Sequence, residues 1–485
     1  PRLIDNLNRI QDGPYYSLEN VKKTYRSLNQ INQFRMVNVN FEPAETTPGD
    51  TLGLLDCRIL LAPLSRQGFS VDLEGTNSSG NIGVAGNLNY QHRNLFRGAE
   101  ILSLNLKGAF ERQQAMVNES SLRFNTHEYG VEASLNLPKF LSPLNSRRFF
   151  NYQVPQTGFT LGYNFQERPD YTRTITNFRF GYNWKSKSYR THLLNLIDLN
   201  YVNLSRFNSD FLNSIKDLYI KSSYTDHLIL ALNYSRVDHV QQIGSRGDYS
   251  YFKWSFESAG NFLYALAGLA GRSRTEALDT ITGELTRYHR LFGTRFAQYL
   301  KADLEYRYGY RLDRFNSVVA RLFAGIAVPY GNLDVLPFEK KYFTGGANGI
   351  RAWQVRTLGP GTYRAAEDAY PNQSADIKLE ANLEYRFRLL GRMEGAFFLD
   401  AGNIWAINNK DNRLGARFRV NRFYREIALG TGTGLRFNFD YFIFRLDLGM
   451  KLRDPSLEEG KRFIIGNYPI DGDQFNLSFA IGYPF

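Results

Sequence analysis

Alternation of apolar and polar residues is the dominant pattern from Gly68 to the end of the chain. From Asp376 to Arg388, every second residue is apolar, and most of the residues between them are charged. This period of two is the spacing of a β-strand with one apolar and one polar face. Sixteen segments follow the pattern, at 68–76, 80–92, 100–113, 128–138, 157–167, 174–186, 190–204, 226–239, 250–262, 297–311, 315–329, 376–388, 392–405, 424–438, 440–452 and 475–485. Apolar outward and charged inward faces suit every strand only in a closed sheet, which predicts an all-β membrane protein with a sixteen-stranded antiparallel transmembrane β-barrel.

The links between these predicted strands alternate between short and long. Tight links are predicted at 186–189, 312–315, 389–392 and 439. Long links are predicted at 205–225, 263–296, 330–375, 406–423 and 453–474. In outer-membrane barrels the short turns face the periplasm and the long loops face the outside. The link 139–156 departs from this order, because it is long and lies on the periplasmic side.

The first 65 residues have a different pattern. Ser17 precedes apolar residues at helical spacing, which predicts a capped amphipathic helix. Strands are predicted at 34–41 and 57–64, and a further helix at 2–10. We expect a small α+β module over residues 1–65 that lacks its first strand, followed by the barrel over residues 66–485.

Composition and charge narrow the range of functions. The net charge of +12 comes from basic residues that are interleaved with acidic ones, so we expect no nucleic-acid partner. The single cysteine, Cys57, excludes a fold built on disulfides. The six histidines lack the spacing of metal ligands, and we find no outward serine at a position compatible with a nearby histidine. We therefore expect no enzyme, no cofactor and no metal site.

The long predicted loop at 330–375 contains the most informative motif. Its glycine-rich centre carries four consecutive residues of interest, Ile350, Arg351, Ala352 and Trp353. The strand predicted at 392–405 turns Phe398, Asp400 and Gly402 inward, and the next strand turns Gly430, Gly432 and Gly434 inward. Three glycines on one face leave a groove that side chains would otherwise fill. We predict that the loop folds inward and that Arg351 pairs with Asp400 there.

These two motifs resemble those of the outer-membrane assembly factor superfamily, the bacterial surface antigen family that includes BamA and TamA. The loop is similar to its [V/I]-R-G-[F/Y] signature, with Ala352 and Trp353 as departures, and the stretch from Phe398 to Gly402 is similar to its F-x-D-x-G motif. The form of the loop looks most like that of the TamA-like lipoproteins of Bacteroidota. By the same resemblance, residues 1–65 are an N-terminally incomplete POTRA domain, a polypeptide-binding unit of the periplasm.

The first and last predicted strands are expected to form a weak seam. Phe69, Val71 and Leu73 face outward on a first strand of about nine residues, near the lower limit for crossing a bilayer. Phe479, Ile481 and Phe485 share the outward face of the last strand, in which Gly482 is small. Such a seam is what a lateral gate requires.

The resemblance implies a factor that inserts or exports β-barrel or surface proteins by templating their strands at this gate. Its partners would be unfolded outer-membrane or surface proteins and outer-membrane lipid, with a TamB-like periplasmic protein or accessory lipoproteins as further partners. The expected location is the bacterial outer membrane, with the POTRA module in the periplasm. Two alternatives stay open, a passive secretion pore for one dedicated partner and an inert surface antigen.

Overall fold

The computed structural model describes residues 2–11, 13, 15–44, 53–78, 81–112, 125–141, 153–168, 171–207, 225–241, 247–271, 274–278, 285–365, 373–408, 411–439 and 441–485. The α-helices of this part are α1 (Arg2–Leu7), α2 (Leu18–Gln30) and α3 (Asn261–Leu269). The strands are β1 (Phe34–Pro43), β2 (Leu55–Pro63), β3 (Gln67–Ser78), β4 (Asn81–Arg93), β5 (Ile101–Arg112), β6 (Thr126–Leu137), β7 (Gln153–Glu167), β8 (Tyr171–Lys187), β9 (Arg190–Phe207), β10 (His227–Gln241), β11 (Tyr249–Ala259), β12 (Thr275–Leu278), β13 (Leu285–Tyr288), β14 (Arg290–Leu291), β15 (Thr294–Arg295), β16 (Tyr299–Arg311), β17 (Asn316–Pro329), β18 (Ile377–Leu390), β19 (Met393–Trp405), β20 (Ala428–Asn438), β21 (Ile443–Arg453) and β22 (Phe475–Ile481).

Sixteen of these strands form one antiparallel sheet, from β3 at one edge to β22 at the other, in the order of the chain. The sixteen predicted strands are confirmed, since each predicted segment overlaps one strand of this sheet. The named tight and long links lie between the corresponding strands, whereas the links from β3 to β4 and from β7 to β8 are short where the alternation predicts long ones. Most of the link 139–156 lies outside the described residues. Within the described residues no ladder joins β3 to β22, so the expected closure of the sheet by strand pairing is not found.

The alternation of side chains gives the sheet two different faces. On β18, Glu380 and Glu384 are buried on one face, whereas Leu383 and Tyr385 are exposed on the other. Exposed apolar side chains recur at the same parity on the other strands, which is the arrangement of a sheet whose outer face contacts lipid. None of the helices in the described part combines the length and apolar composition that a membrane-spanning helix requires.

The N-terminal module consists of α1, α2 and the hairpin of β1 and β2. The Ser17 hydroxyl accepts a hydrogen bond from the Asn20 backbone N–H at 3.4 Å, as the predicted helix cap requires. Helix α2 buries Thr24 and Leu28, and the Thr24 hydroxyl accepts from the Arg9 backbone N–H at 2.8 Å. The segment after α1 is thereby fixed to α2.

Two features of the sheet differ from the prediction. The long segment after β11 begins with α3 and continues with two small hairpins, β12–β13 and β14–β15, none of which has the period-two pattern over a long run. The first strand of the sheet is twelve residues long and the last is only seven. The expectation of a short first strand is therefore wrong. The expectation that the last strand reaches Phe485 is also wrong, because the chain turns at Gly482 with a φ of 84° that glycine tolerates.

Candidate functional site

The loop between β17 and β18 places Arg351 against the inner face of the sheet, where its side chain is fully buried. Its Nε donates to Asp400 Oδ2 and its Nη2 to Asp400 Oδ1, both at 2.9 Å. The backbone N–H of Arg351 also donates to Asp400 Oδ2, at 3.0 Å. A two-pronged pair with an additional backbone bond fixes both the side chain and the loop around it.

Arg351 belongs to a larger cluster of buried charges. Its Nη1 also contacts Glu384 on β18, and Glu384 Oε2 lies 3.0 Å from Arg436 Nη2 on β20. Asp447 on β21 lies 3.2 Å from Arg436 and 3.3 Å from Arg445. Three arginines thus face three carboxylates, with side chains that are at most 1% exposed. Taking so many charges out of water is tolerable only when each is compensated by its neighbours.

Apolar residues of the loop also fix it against the inner face of the sheet. Ile350, Ala352 and Trp353 form one buried cluster with Leu358 of the loop and Ala428 of β20. The Arg351 guanidinium also lies over the Phe398 ring, 3.6 Å from its centre. Cation–π contact and apolar packing therefore act together with the ion pairs.

The three glycines of β20 each make room for a different group. A Cβ on Gly430 would lie 2.6 Å from the Ala352 Cβ, so this glycine admits the loop. A Cβ on Gly432 would meet the Phe398 ring at 2.4 Å, and one on Gly434 would meet the Asp447 carboxylate at 2.0 Å. The expected single groove is therefore divided among the loop, an aromatic ring and a charge pair.

Gly402 lies opposite Glu380 on the neighbouring strand, where a Cβ would come within 2.2 Å of the Leu379 carbonyl oxygen. Gly402 therefore permits the close approach of β18 and β19. The ion pairs that hold Arg351 are made by Asp400 and Glu384 instead. Glu380 extends the charged cluster, with ion pairs to Lys378 at 2.9 Å and to Arg321 at 3.1 Å.

Sequence reasoning missed several members of the cluster. Glu384, Arg436, Arg445 and Asp447 were left out of the predicted site, although strand alternation puts each of them on the inner face. Gly449 was missed too, and a Cβ there would lie 2.7 Å from the Arg351 carbonyl oxygen. The signal was present in the sequence, because these charged residues occupy inward positions of the alternating pattern on β18, β20 and β21.

The predicted seam residues lie on two sheet edges. Phe69, Val71 and Leu73 on β3 and Phe479 and Ile481 on β22 are all exposed. The tail after Gly482 leaves this outer face. Its last residue is buried, with its ring 5.8 Å from the Arg351 guanidinium carbon, so the expectation that Phe485 faces outward is wrong.

Asn476 on β22 connects the loop to this edge, since its side-chain amide donates to the Arg351 carbonyl oxygen at 2.8 Å. Tyr483 in the tail donates to Glu394 at 2.8 Å and lies against the Arg386 guanidinium. The loop site and the last strand are therefore one continuous packed unit.

A sixteen-stranded antiparallel sheet with an apolar outer face, and a loop held by charges on its inner face, defines a membrane β-barrel protein. The Omp85 superfamily domain matches residues 94–485, and the chain belongs to this superfamily. Membership agrees with the resemblance given above, with a location in the outer membrane and with a role other than catalysis. The finer likeness to TamA-like lipoproteins stays a prediction.

The solved structures that are similar to this chain include BamA and two CdiB proteins. BamA from Haemophilus ducreyi lacking POTRA domains 1–3 is 13% identical, with 99% of this chain and 80% of that chain covered and a TM-score of 0.61. CdiB from Acinetobacter baumannii is 14% identical, with coverages of 98% and 70% and a TM-score of 0.51. CdiB from Escherichia coli is 11% identical, with coverages of 99% and 73% and a TM-score of 0.52. At these identities the likeness shows a shared fold.

Proposed function

We propose that this protein inserts or exports outer-membrane or surface proteins by pairing their strands with the open edges of its own sheet. The observation that carries the proposal is that β3 and β22, the two ends of the sheet, each pair on one side only within the described residues. An unpaired strand edge presents a row of backbone donors and acceptors, which is a template for an incoming strand. Membership of the Omp85 superfamily supports a role in assembly or secretion.

The β22 edge is the weaker of the two. Only seven residue pairs join β22 to β21, from Phe444 with Ile481 to Met450 with Phe475. Each backbone hydrogen bond contributes about 1 kcal/mol net. Separating a ladder this short therefore costs little free energy. The last contact of this ladder is the hydrogen bond from the Gly482 backbone N–H to the Ile443 carbonyl oxygen at 2.8 Å, after which the tail turns inward.

The N-terminal module has a proposed part in the same process. Its hairpin of β1 and β2 is a two-stranded sheet, with outer edges on both strands. As a POTRA-like unit in the periplasm, it would hold an extended segment of unfolded client protein by the same strand addition. Accessory partners and the POTRA assignment stay predictions.

Site-specific photocrosslinking tests the proposal. Benzoylphenylalanine replaces Val71 on the β3 edge or Leu477 on the β22 edge, while a client protein is being assembled. The matched control is Leu322, which is comparably exposed on the outer face but lies inside the sheet on β17. We expect client adducts at the two edge positions and none at the control. Adducts at Leu322 as frequent as at the edges would refute strand templating.

A disulfide across the seam separates this function from a passive secretion pore. Cysteine pairs are scanned between residues 70–74 and 476–480, for example Asp72→Cys with Ser478→Cys, with Cys57→Ser to prevent mispairing. Oxidised protein should lose assembly activity and regain it on reduction. Full activity with the seam quantitatively crosslinked would favour the pore, in which clients pass without opening the sheet.

A further inference from the structure

A second charged cluster lies on β9 and β10, outside the loop site. Arg190 donates to Asp238 through Nε at 2.8 Å and Nη2 at 3.0 Å. Arg236 donates to the same carboxylate through Nε at 3.0 Å and Nη2 at 2.5 Å. One carboxylate therefore serves two guanidinium groups, and two positive charges less one negative charge leave the cluster at +1.

The register places this cluster on the outer face of the sheet. Arg236 lies directly opposite His192 on β9 and Trp254 on β11, and His192 lies opposite Trp184 on β8. The next outward position on β11 is the exposed Phe256, whereas the neighbouring Glu257 is buried on the inner face. The arginine and histidine thus interrupt an otherwise apolar exterior and are framed by two tryptophans.

Hydroxyl groups complete the cluster. Ser186 Oγ lies 2.8 Å from His192 Nε2, and the Tyr234 hydroxyl lies 2.8 Å from His192 Nδ1. The expectation that no outward serine has a histidine nearby is therefore wrong, because a bulge between Lys185 and Lys187 sets the position of Ser186. In this series of hydrogen bonds the group that follows Ser186 and His192 is the Tyr234 phenol rather than a carboxylate. The series therefore orients polar groups without supplying a strong base.

Two features of the cluster are typical of a membrane–water interface. It lies close to the tight turn at 188–189, where the chain passes from β8 to β9. The Trp184 ring stacks on His192 at 5.0 Å, and the Trp254 ring packs on Tyr234 at 5.1 Å. Tryptophan and tyrosine concentrate where lipid headgroups meet the hydrocarbon region. Because the short turns of outer-membrane barrels face the periplasm, the expected level of the cluster is the periplasmic leaflet.

We propose that Arg190, Arg236, His192 and Ser186 bind the headgroup of an anionic glycerophospholipid in the periplasmic leaflet, which rests on the membrane placement proposed above. The hydrogen bonds among the described residues leave Nη1 of both arginines for an external acceptor. Guanidinium groups match the oxygen atoms of a phosphodiester. One monoanionic lipid neutralises the +1 cluster, whereas a zwitterionic lipid leaves its charge uncompensated.

Quenching of tryptophan fluorescence by brominated lipids tests the proposal in reconstituted vesicles. Of the four tryptophans, Trp184 and Trp254 face the proposed site, while Trp353 and Trp405 are buried in the loop region. One uncompensated basic charge near a membrane favours anionic lipid about fivefold. We expect brominated phosphatidylglycerol to associate with the protein about fivefold more strongly than brominated phosphatidylcholine.

Three variants assign this preference to the cluster. The double variant Arg190→Gln with Arg236→Gln should lose it, and Asp238→Asn, which keeps both arginines, should increase it about fivefold more. The matched control is Arg179→Gln, because Arg179 pairs with Asp198 at 3.8 Å on the inner face of β8, and it should leave the preference unchanged. Heat-dependent electrophoretic mobility checks that each variant is folded.

Equal quenching of the wild-type protein by the two lipids would overturn the proposed headgroup site and leave the membrane placement intact. Persistence of the preference in the folded double variant, or its failure to increase in Asp238→Asn, would overturn the site as well. Release of lysophospholipid from phosphatidylglycerol would contradict a binding role, because it would make the serine and histidine hydrolytic. Absence of quenching by either lipid would refute the membrane placement itself and with it the proposed function.

Discussion

The two ends of the sheet have the same strand pattern and different inner faces. On β18 to β21, charged side chains are almost fully buried beneath the loop that carries Arg351. On β3 to β6, Lys107 pairs with Glu128 at 2.8 Å with 42% of the lysine side chain exposed. Asn89 donates to Asp72 at 2.9 Å in a similarly exposed position.

The difference shows that the alternation of apolar and polar residues does not by itself determine how much an ion pair contributes to stability. Exposed pairs contribute between about 0 and 1 kcal/mol, because water competes for both partners. Buried pairs are costly to form and costly to break, since removing one partner leaves an uncompensated charge. The end that carries the loop should therefore be rigid and sensitive to substitution, and the first strands should be tolerant. The open seam lies between these two regions.

The largest effect is expected from Arg351→Ala. The substitution leaves Asp400 and Glu384 buried without their main partner, and should lower the free energy of unfolding by about 3–5 kcal/mol. Chemical unfolding of the protein in lipid vesicles, followed by tryptophan fluorescence, measures this change.

Asp400→Ala should have a similar effect, and the double variant should be little worse than either single variant, because one interaction is lost in all three. Strictly additive losses would mean that Arg351 and Asp400 act independently.

A smaller but still large effect is expected on the outer face. Leu88→Arg puts a charge on the lipid side of β4, and should cost about 2–4 kcal/mol if this position lies near the middle of the bilayer. The matched control is the next residue, Asn89→Arg, which places the same side chain on the inner face beside Asp72. Unfolding in vesicles should separate the two variants clearly. Equal tolerance of both would mean that the faces are assigned in reverse.

Gly430→Ala tests the fit between the loop and β20. The added Cβ would lie 2.6 Å from that of Ala352, and crowding of this kind costs about 1–3 kcal/mol. Adding Ala352→Gly removes the opposing methyl group and should restore much of the lost stability.

The matched control is Gly108→Ala on β5, where a Cβ has no neighbour within 4 Å and stability should hold. Failure of Ala352→Gly to compensate would show that Gly430 serves some other purpose than admitting the loop.

The smallest effect is expected for Lys107→Ala at the tolerant end of the sheet. This exposed pair with Glu128 should contribute only about 0.2–1 kcal/mol. The same unfolding experiment at low and high salt should show a difference that shrinks as salt rises. A loss as large as that of Arg351→Ala would erase the distinction between the two ends.

The sequence determined the strands, their faces and the lengths of most links, because a period of two is a local property of the chain. It also predicted that Arg351 and Asp400 meet, since the inward glycines of the next strand leave room for the loop beside an inward carboxylate. The helix cap at Ser17 followed from local hydrogen bonding in the same way.

Only the tertiary structure determined which side chains of different strands lie next to each other. Glu384, Arg436 and Asp447 come from three different strands, and they form one cluster because cross-strand register brings their buried faces together. The turn at Gly482 removes Phe485 from the outer face through a backbone conformation that strand alternation does not reveal. The cluster at Asp238 likewise depends on the register of β9 and β10. The sequence does not determine this register, because the exact length of the link between the two strands cannot be read from it. Pairing across strands is set by long-range contacts, and for that reason it lies beyond what a local pattern determines.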